Sequence, residues 1–533
     1  MVMTAHPSQQ TSAIPGASTN GSAGSTEARR TVSSYSPLDG HLIATYPTTD
    51  PEALPGIVAR ARVAQKRWEA VGLRHRLRVM RAIQDSLYRH LDSIMDALVN
   101  EIGKARWDAL IEVFPALELL AYQNRIATKT LQPHERAVLL VPHRRHFVEY
   151  RAYGVVAVIT PWNFPLLLST TPIFAALTTG NAVVFKPSEY APRVGELIAN
   201  VVYEAGLDPD LMPIVYGYGD VGAALIKARP DKVAFTGSVA TGRRVAAMAG
   251  ELLIPCTLEL GGKDAAIVLA DADIRRSANG IAWAALHNAG QACLSIERIY
   301  VERPIAATLT EAIQQVIDKH VRAVPGPGQE RSLTAITNDA QLKIIEGQVN
   351  EAVAQGARVL AGGHRLEGPG RFYAPTVITD VTPGMRIVQD ETFGPVIVII
   401  PVEDAEEALR LANDSRFGLT ASVWTRDRER GLALARRMRA GSVSVNDHIM
   451  SASVPQQPWG GVHEAGYGRQ RGPEGLLDMV YPQSLSVDRV SLPTEPYWYP
   501  YTAQKYNLLL RILRIMYGDS AAERIAALFG RRQ

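Results

Sequence analysis

Apolar residues recur at helical spacing from Leu77 to Val99, which predicts one long amphipathic helix. Further along, the pattern changes to short unbroken apolar runs. Gly154 to Thr160 reads Gly-Val-Val-Ala-Val-Ile-Thr and is closed by Pro161, and Asn181 to Phe185 reads Asn-Ala-Val-Val-Phe and is closed by Lys186-Pro187. Lys232 to Phe235 and Ala265 to Leu269 are similar. Short β-branched runs without polar alternation predict strands covered on both faces. Helix-like segments separate them from about residue 50 to about residue 450, so the chain predicts an α/β fold of parallel sheets wrapped by helices. A second strand–helix series, from Ala265 to about Asn446, predicts a second α/β domain.

The two ends depart from this rhythm. Up to Ser34 the chain is rich in Ser, Thr, Ala and Gly and lacks the apolar centre of a secretory signal, which predicts a disordered tail. Near the other end, Pro496-Tyr497-Trp498-Tyr499-Pro500-Tyr501 is a rigid aromatic segment, and Leu508 to Met516 predicts a short helix. Glu495 to Gln533 holds six Lys or Arg against three Asp or Glu, so this tail is basic.

Composition narrows the function. A net charge of +3 over 533 residues gives no basic footprint for nucleic acid. Two cysteines cannot build a disulfide framework, and no Cys-x-x-Cys or His/Cys ligand spacing occurs. The expectation is a cytoplasmic, reducing location and no metal. No apolar stretch reaches the roughly 20 residues that span a bilayer.

Several segments can carry chemistry, each with an ordinary structural alternative. Cys293, in Asn288-Ala289-Gly290-Gln291-Ala292-Cys293, is a nucleophile or an apolar filler. His287 is not on the same helical face, so a local Cys–His pair is not expected. Cys256 reads as a core thiol. Asn163, fixed between prolines in Pro161-Trp162-Asn163-Phe164-Pro165 at a strand end, is an oxyanion donor or a turn residue. Glu259, between leucines and before Gly261-Gly262, is a desolvated base or a turn acid. Lys186 and Glu189 at a strand's carboxyl end suit ribose hydroxyls, or a plain surface turn. Gly237 and Ser238 open a helix whose free N–H groups attract phosphate. Gly217 to Gly222 matches G-x-G-x-x-G, but Asp231 follows too early for the usual ribose acid.

Taken together, these motifs resemble the NAD(P)-dependent aldehyde dehydrogenase superfamily, from about Ser36 to about Val490. The resemblance rests on P-W-N-F-P at Pro161, K-P-S-E at Lys186, F-T-G-S-x-x-x-G at Phe235, L-E-L-G-G-K at Leu258, G-Q-x-C at Gly290 and E-T-F-G-P at Glu391. It implies two doubly wound parallel-sheet domains plus a small β oligomerisation arm. Residues 35–143 and 154–260 would form the cofactor domain, 261–476 the catalytic domain, and 144–153 with 477–492 the arm. Residues 1–34 would be the tail, and 493–533 a C-terminal extension. The resemblance also implies oxidation of an aldehyde to a carboxylic acid. Cys293 would attack, Asn163 and the Cys293 N–H would hold the oxyanion, and Glu259 would activate the water that hydrolyses the acyl-enzyme. It assigns Lys186, Glu189, Gly237, Ser238, Trp162, Glu391 and Phe393 to the cofactor site, and demotes Gly217 to Gly222 to a turn. Glu189 favours NAD, with NADP also accepted.

The chain departs from the family pattern at His463-Glu464-Ala465, where Lys-x-Ser is usual, and at Ala292, where many members carry a second Cys. Gly103 to Trp107 and Cys293 to Glu302 resemble some bacterial succinate-semialdehyde dehydrogenases, which makes that specificity an alternative. A CoA-acylating enzyme is a second alternative, against which Glu259 argues. A non-catalytic membrane-surface protein is a third, against which the Cys293, Glu259 and Asn163 set argues. The implied partners are a small-molecule aldehyde, a second copy in a homodimer or homotetramer, and a peripheral membrane contact in which Arg511 and Arg514 reach lipid phosphates.

Overall fold

A computed structural model describes residues 30–529 apart from 139, 140, 142, 329 and 496. The first sheet has five strands in the order Gly466–Tyr467, Cys256–Glu259, Lys232–Thr236, Val155–Ile159, Ala182–Lys186. All pairs are parallel except the Gly466–Tyr467 edge, which runs against Cys256–Glu259. Every residue of Val155–Ile159, Ala182–Lys186 and Lys232–Thr236 is buried, as expected of strands covered by helices on both faces. From Val155–Ile159 the chain goes first to a neighbour on one side and later to one on the other. This reversal opens a crevice at the strands' carboxyl ends, where open α/β sheets bind ligands.

The helix beneath that crevice, Pro165–Thr179, is buried along its whole length. Proline at its first position sacrifices no intrahelical bond. The freed N–H groups of Leu166 and Leu167 donate to Glu112 Oε1 at 2.7 and 3.1 Å, and Lys104 Nζ lies 3.0 Å from the other oxygen. A carboxylate on a helix N-terminus also meets the positive end of the helix dipole.

The second sheet has seven strands in the order Arg358–Ala361, Thr376–Thr379, Val396–Val402, Ile296–Glu302, Asp264–Val268, Thr420–Trp424, Ser442–Val445. Only the Arg358–Ala361 edge is antiparallel. A third sheet pairs Arg144–Ala152 with Val480–Asp488 in unbroken antiparallel register, from Ala152 opposite Val480 to Arg144 opposite Asp488, with His134–Arg136 beyond.

Three expectations need correction. Leu77 to Val99 is two helices, Gly72–Arg89 and Leu91–Ile102, broken at His90 (φ −93°, ψ 12°). The His90 N–H donates to Ser86 O at 3.1 Å, and its ring Nδ1 lies 3.0 Å from the same oxygen. Leu87 and Ile94 sit seven residues apart, two helical turns, so the apolar stripe runs across the break and hides it. The predicted tail lies outside the described residues up to 29, but Thr31–Tyr35 is a strand paired with Leu42–Pro47, with Val32 fully buried. The C-terminal helix runs from Ala503 to Tyr517, longer at both ends than predicted, and its exposed Arg511 turns part of its guanidinium to backbone. Its Nε donates to Ala527 O at 2.7 Å, and its Nη2 to Leu528 O, which caps the helix Ala521–Leu528.

Candidate active site

Cys293 is positioned by an irregular turn. After the helix Ile274–Leu286, Asn288 and Ala289 (both φ 54°) and Gly290 (φ 69°) are left-handed in succession. A Cβ on Gly290 would lie 2.0 Å from Gly394 O, so glycine is required. Side-chain bonds hold the turn. Asn288 Nδ2 donates to Asn163 O and Gln291 O, both at 3.1 Å, and Gln291 Nε2 donates to Ala335 O at 2.9 Å. The Asp108 carboxylate accepts from Asn288 N at 3.2 Å and lies 2.8 Å from His287 Nδ1.

Asn163 comes from the end of Val155–Ile159, as its motif suggested. Its Nδ2 donates to Gln291 O at 3.0 Å, which ties it to the cysteine turn and leaves the second amide hydrogen for another acceptor. Asn163 and Cys293 line one cavity of about 240 Å³, together with Trp162, Glu391 and Phe393. It lies between the carboxyl ends of the first sheet and the amino ends of the second. Cys293 directly precedes Ile296–Glu302, and Phe393 directly precedes Val396–Val402.

Buried charge fixes the opposite wall. Glu297 accepts from Thr392 N at 2.8 Å and Phe393 N at 2.9 Å, and pairs with Lys263 Nζ at 2.5 Å. This holds Phe393 (φ 53°) with its ring edge-on to Trp162, centroids 5.6 Å apart. Glu391 Oε1 accepts from Gly262 N at 3.1 Å. The Gly261-Gly262 pair makes room for both groups. A Cβ on Gly261 would meet Glu391 Oε2 at 2.4 Å, and one on Gly262 would meet Cys293 O at 2.3 Å.

A second cavity of about 530 Å³ adjoins the first, and Trp162, Gly237 and Ser238 line both. Lys186, Glu189 and Arg244 line the second. Ser238 caps the helix Val239–Glu251 and accepts from Thr241 N at 3.3 Å, which leaves the neighbouring first-turn N–H groups facing the groove. Lys186 is buried, and burial lowers its pKa against the opposing pull of Glu189 and Asp220. Its Nζ donates to Pro187 O at 3.3 Å and has hydrogens to spare for hydroxyls. A phosphate-seeking helix start, a ribose-suited Lys and Glu, and an aromatic pair beside a thiol together suit a dinucleotide. Gly217 to Gly222 leads into the helix Gly219–Lys227. Sequence reasoning undervalued this stretch, since Gly219 and Gly222 line this cavity and a Cβ on Gly222 would lie 3.6 Å from Lys186 Cδ.

Glu259 ends the strand Cys256–Glu259 and does not line this cavity. Burial pushes its pKa up to about 8, while Arg471, Arg469 and the Trp459 indole pull the other way. Oε1 of Glu259 has no hydrogen-bond partner among the described residues. Burial also raises the Cys293 thiol, reinforced by Glu391, Glu259 and Asp264 and opposed by Arg471. Glu391 is raised to about 8, again first by burial.

Two residues escaped sequence reasoning. His448 Nε2 lies 2.9 Å from Leu294 O and 3.1 Å from Thr420 Oγ1, and burial lowers its pKa to about 4, so the ring is neutral. Arg471 is buried with φ 59° and ψ −177°, a conformation that essentially only glycine adopts and that costs about 1–3 kcal/mol elsewhere in proteins. Neither lies in a recognisable motif of spacing, and no local pattern could have found them.

This groove, with a thiol and an amide donor at one end and a second cavity along it suited to a dinucleotide, fits the class of NAD(P)-dependent oxidoreductases. The aldehyde dehydrogenase family model matches residues 24–485, and the chain belongs to that family. It is 38% identical over 496 residues to the 4,4'-diapolycopene aldehyde oxidase of a Methylomonas species, with 92% of each chain covered. It is also 38% identical over 479 residues to a Mycobacterium ulcerans protein provisionally named a succinate-semialdehyde dehydrogenase of the NADP(+) type, covering 90% of this chain and 92% of that one. The solved NAD-dependent aldehyde dehydrogenase of Sinorhizobium meliloti superposes with a TM-score of 0.84 at 33% identity, over 88% of this chain and 93% of that one. The chain is thus an enzyme that oxidises an aldehyde to the acid with NAD(P)+.

Proposed function

We propose that Cys293 is the nucleophile, Asn163 the oxyanion donor and Glu259 the base of hydrolysis. The observation that carries this reading is the bond from Asn163 Nδ2 to Gln291 O, which fixes the amide against the cysteine turn with one hydrogen left over. The Cys293 sulfur adds to the aldehyde carbon, and the second Asn163 hydrogen and the Cys293 N–H stabilise the oxygen as it gains charge. Bound NAD(P)+ supplies the hydride acceptor. Phe393 and Trp162 flank the nicotinamide position, and Glu391, Lys186 and Glu189 take ribose hydroxyls. Glu259 then accepts a proton from the water that attacks the thioester, and the Cys293 thiolate leaves. A buried carboxyl at about 8 suits that exchange near neutral pH. An acylating enzyme would have no use for such a base.

Cys293→Ala should abolish NADH formation. Glu259→Gln should keep a single-turnover burst of NADH while steady-state turnover collapses; full steady-state activity in that variant would refute the base.

The walls favour an uncharged, apolar aldehyde. Among the described residues no Lys or Arg lines the Cys293 cavity, its one charged side chain being the acid Glu391, and Leu419, Trp459 and Ala465 form an apolar cluster against the cysteine. This agrees with the name of the Methylomonas relative more than with a short anionic semialdehyde. A panel of long-chain, aromatic and dicarboxylic aldehydes tests it: a higher kcat/KM for succinate semialdehyde than for long-chain aldehydes would reverse the assignment.

The third sheet pairs subunits, supported by its long register and exposed strand Val480–Asp488. Light scattering should give a dimer or tetramer, and a monomer would refute it. The C-terminal hairpin exposes Tyr506, Leu508, Leu513, Tyr517, Ile525 and Leu528, which supports an interfacial lipid contact. No helix among the described residues is long and apolar enough to cross a membrane. Equal co-sedimentation with phosphatidylcholine vesicles by the full chain and by one ending at Ser491 would exclude the lipid contact.

A further inference from the structure

The segment from Gly466 to Gly472 runs beside Glu259 and is fixed there by pairing. Gly466 opposes Glu259 and Tyr467 opposes Leu258 across the edge of the first sheet. Trp459 and Gln470 then exchange both backbone bonds, Trp459 N to Gln470 O at 2.6 Å and Gln470 N to Trp459 O at 2.7 Å. This delivers Arg471 to the Trp459 ring, its guanidinium carbon 5.0 Å from the centroid. Gly460, on the other side of Trp459, shows how close the acid is: a Cβ there would lie 3.1 Å from Glu259 Oε1 and 3.0 Å from Arg469 Nη1.

Arg471 is 5% exposed, and its backbone is held where glycine is normally required. A long cation in a buried, strained position is costly unless something specific holds it. Two of the groups it faces are the acid and the thiol of the reaction: its charge interacts with both Glu259 and Cys293. Arg469 is already committed to backbone, donating to Gly468 O at 2.6 Å and Gly461 O at 3.1 Å.

Resting on the assignment of Glu259 as the base, we propose that Arg471 is a positioning residue whose buried positive charge eases the ionisation of Glu259 and Cys293 against the burial that opposes it. The mechanism is electrostatic: an opposite charge in a low-dielectric site favours the anion of each group. The other charges facing Glu259 are Arg469 and, from the end of the helix Gly472–Leu477, Asp478. Those facing Cys293 are Glu391, Glu259 and Asp264. Arg471 is the one cation common to both sets. Asp478 is partly neutralised by Lys232 Nζ at 3.2 Å and by the Thr257 hydroxyl, which donates to it at 2.6 Å.

The test compares wild type, Arg471→Met, Arg471→Lys and Glu259→Gln by pH profiles of steady-state kcat and of the NADH burst, alongside thermal melts. Methionine keeps apolar bulk without charge, and lysine restores charge without the fork. Turnover limited by hydrolysis rises with pH as Glu259 loses its proton. Arg471→Met should move that rise about one pH unit upward, about a tenfold loss of kcat on the acid side. The burst profile should move the same way, and Arg471→Lys should recover most of both. An Arg471→Met enzyme that is folded by its melt and keeps the wild-type profile overturns the proposal. So does an equal shift in the lysine variant, or a raised KM for succinate semialdehyde with an unmoved profile, which marks a substrate contact instead. Glu259→Gln separates the two layers: loss of the turnover profile upholds the base, whereas an unchanged profile removes the base and this proposal with it.

Discussion

Gly262→Ala is the most direct structural perturbation of the thiol's position, because it adds one methyl and no charge. That methyl would sit 2.3 Å from Cys293 O, and ordinary contact begins at 3.4 Å. The carbonyl must therefore retreat by about 1 Å. It belongs to backbone, so no side-chain rotamer relieves the clash, and the turn behind it is pinned by Asn288, Gln291 and Asp108. Overpacking of this kind costs about 1–3 kcal/mol of stability. The catalytic effect is larger in proportion, since a misplacement of about 1 Å can cost about 100-fold in rate. Stopped-flow NADH fluorescence at saturating aldehyde and NAD+ measures the burst, and a thermal melt measures folding. The expected result is a folded enzyme whose burst rate falls about 100-fold. A burst within about twofold of wild type would mean that the contact between Gly262 and the Cys293 backbone does not set the nucleophile's position.

Asn163→Ala removes one oxyanion donor and should lower the burst rate about 100- to 1000-fold at little cost in aldehyde KM, as measured by single-turnover kinetics. Glu297→Gln leaves Lys263 buried without its counter-charge. It should cost about 3–5 kcal/mol in denaturant unfolding and raise the KM for NAD by loosening Phe393. If Glu189 takes the ribose hydroxyls as proposed, its carboxylate should repel a 2′-phosphate, and the KM for NAD should be below that for NADP. Glu189→Gln should narrow the gap by letting Arg244, on the same wall, meet the phosphate; a wild-type preference for NADP would contradict this reading.

Much of the architecture is legible in the chain because buried parallel strands are written as unbroken β-branched runs. Val155–Ile159, Ala182–Lys186 and Lys232–Thr236 fall within a residue or two of where their apolar runs place them. Features hidden from the sequence share a physical cause: each depends on contacts between distant segments. The break at His90 leaves the apolar stripe in phase, so periodicity cannot report it. Thr31–Tyr35 is polar in composition and becomes a strand only because Leu42–Pro47 pairs with it. At the site, Cys293, Asn163 and the Gly237-Ser238 helix start are recognisable because each lies in a local motif. The segment that carries Arg471 meets Glu259 through an antiparallel edge pair, Gly466 opposite Glu259, more than 200 residues apart in the chain, which no spacing rule encodes. Arg511 illustrates the converse: a cation on an exposed helix suggests an anionic partner, yet its nearest acceptors are the carbonyls ending the next helix.

In the proposed cycle the acyl group rests on Cys293 and Glu259 removes it. Glu259→Gln mixed with aldehyde and NAD+, quenched after the burst and digested, tests this directly by mass spectrometry. The account predicts one acyl group on the peptide carrying Cys293 and none on the peptide carrying Cys256. A burst of NADH with an unmodified Cys293 peptide, or an acyl group on Cys256, would contradict it.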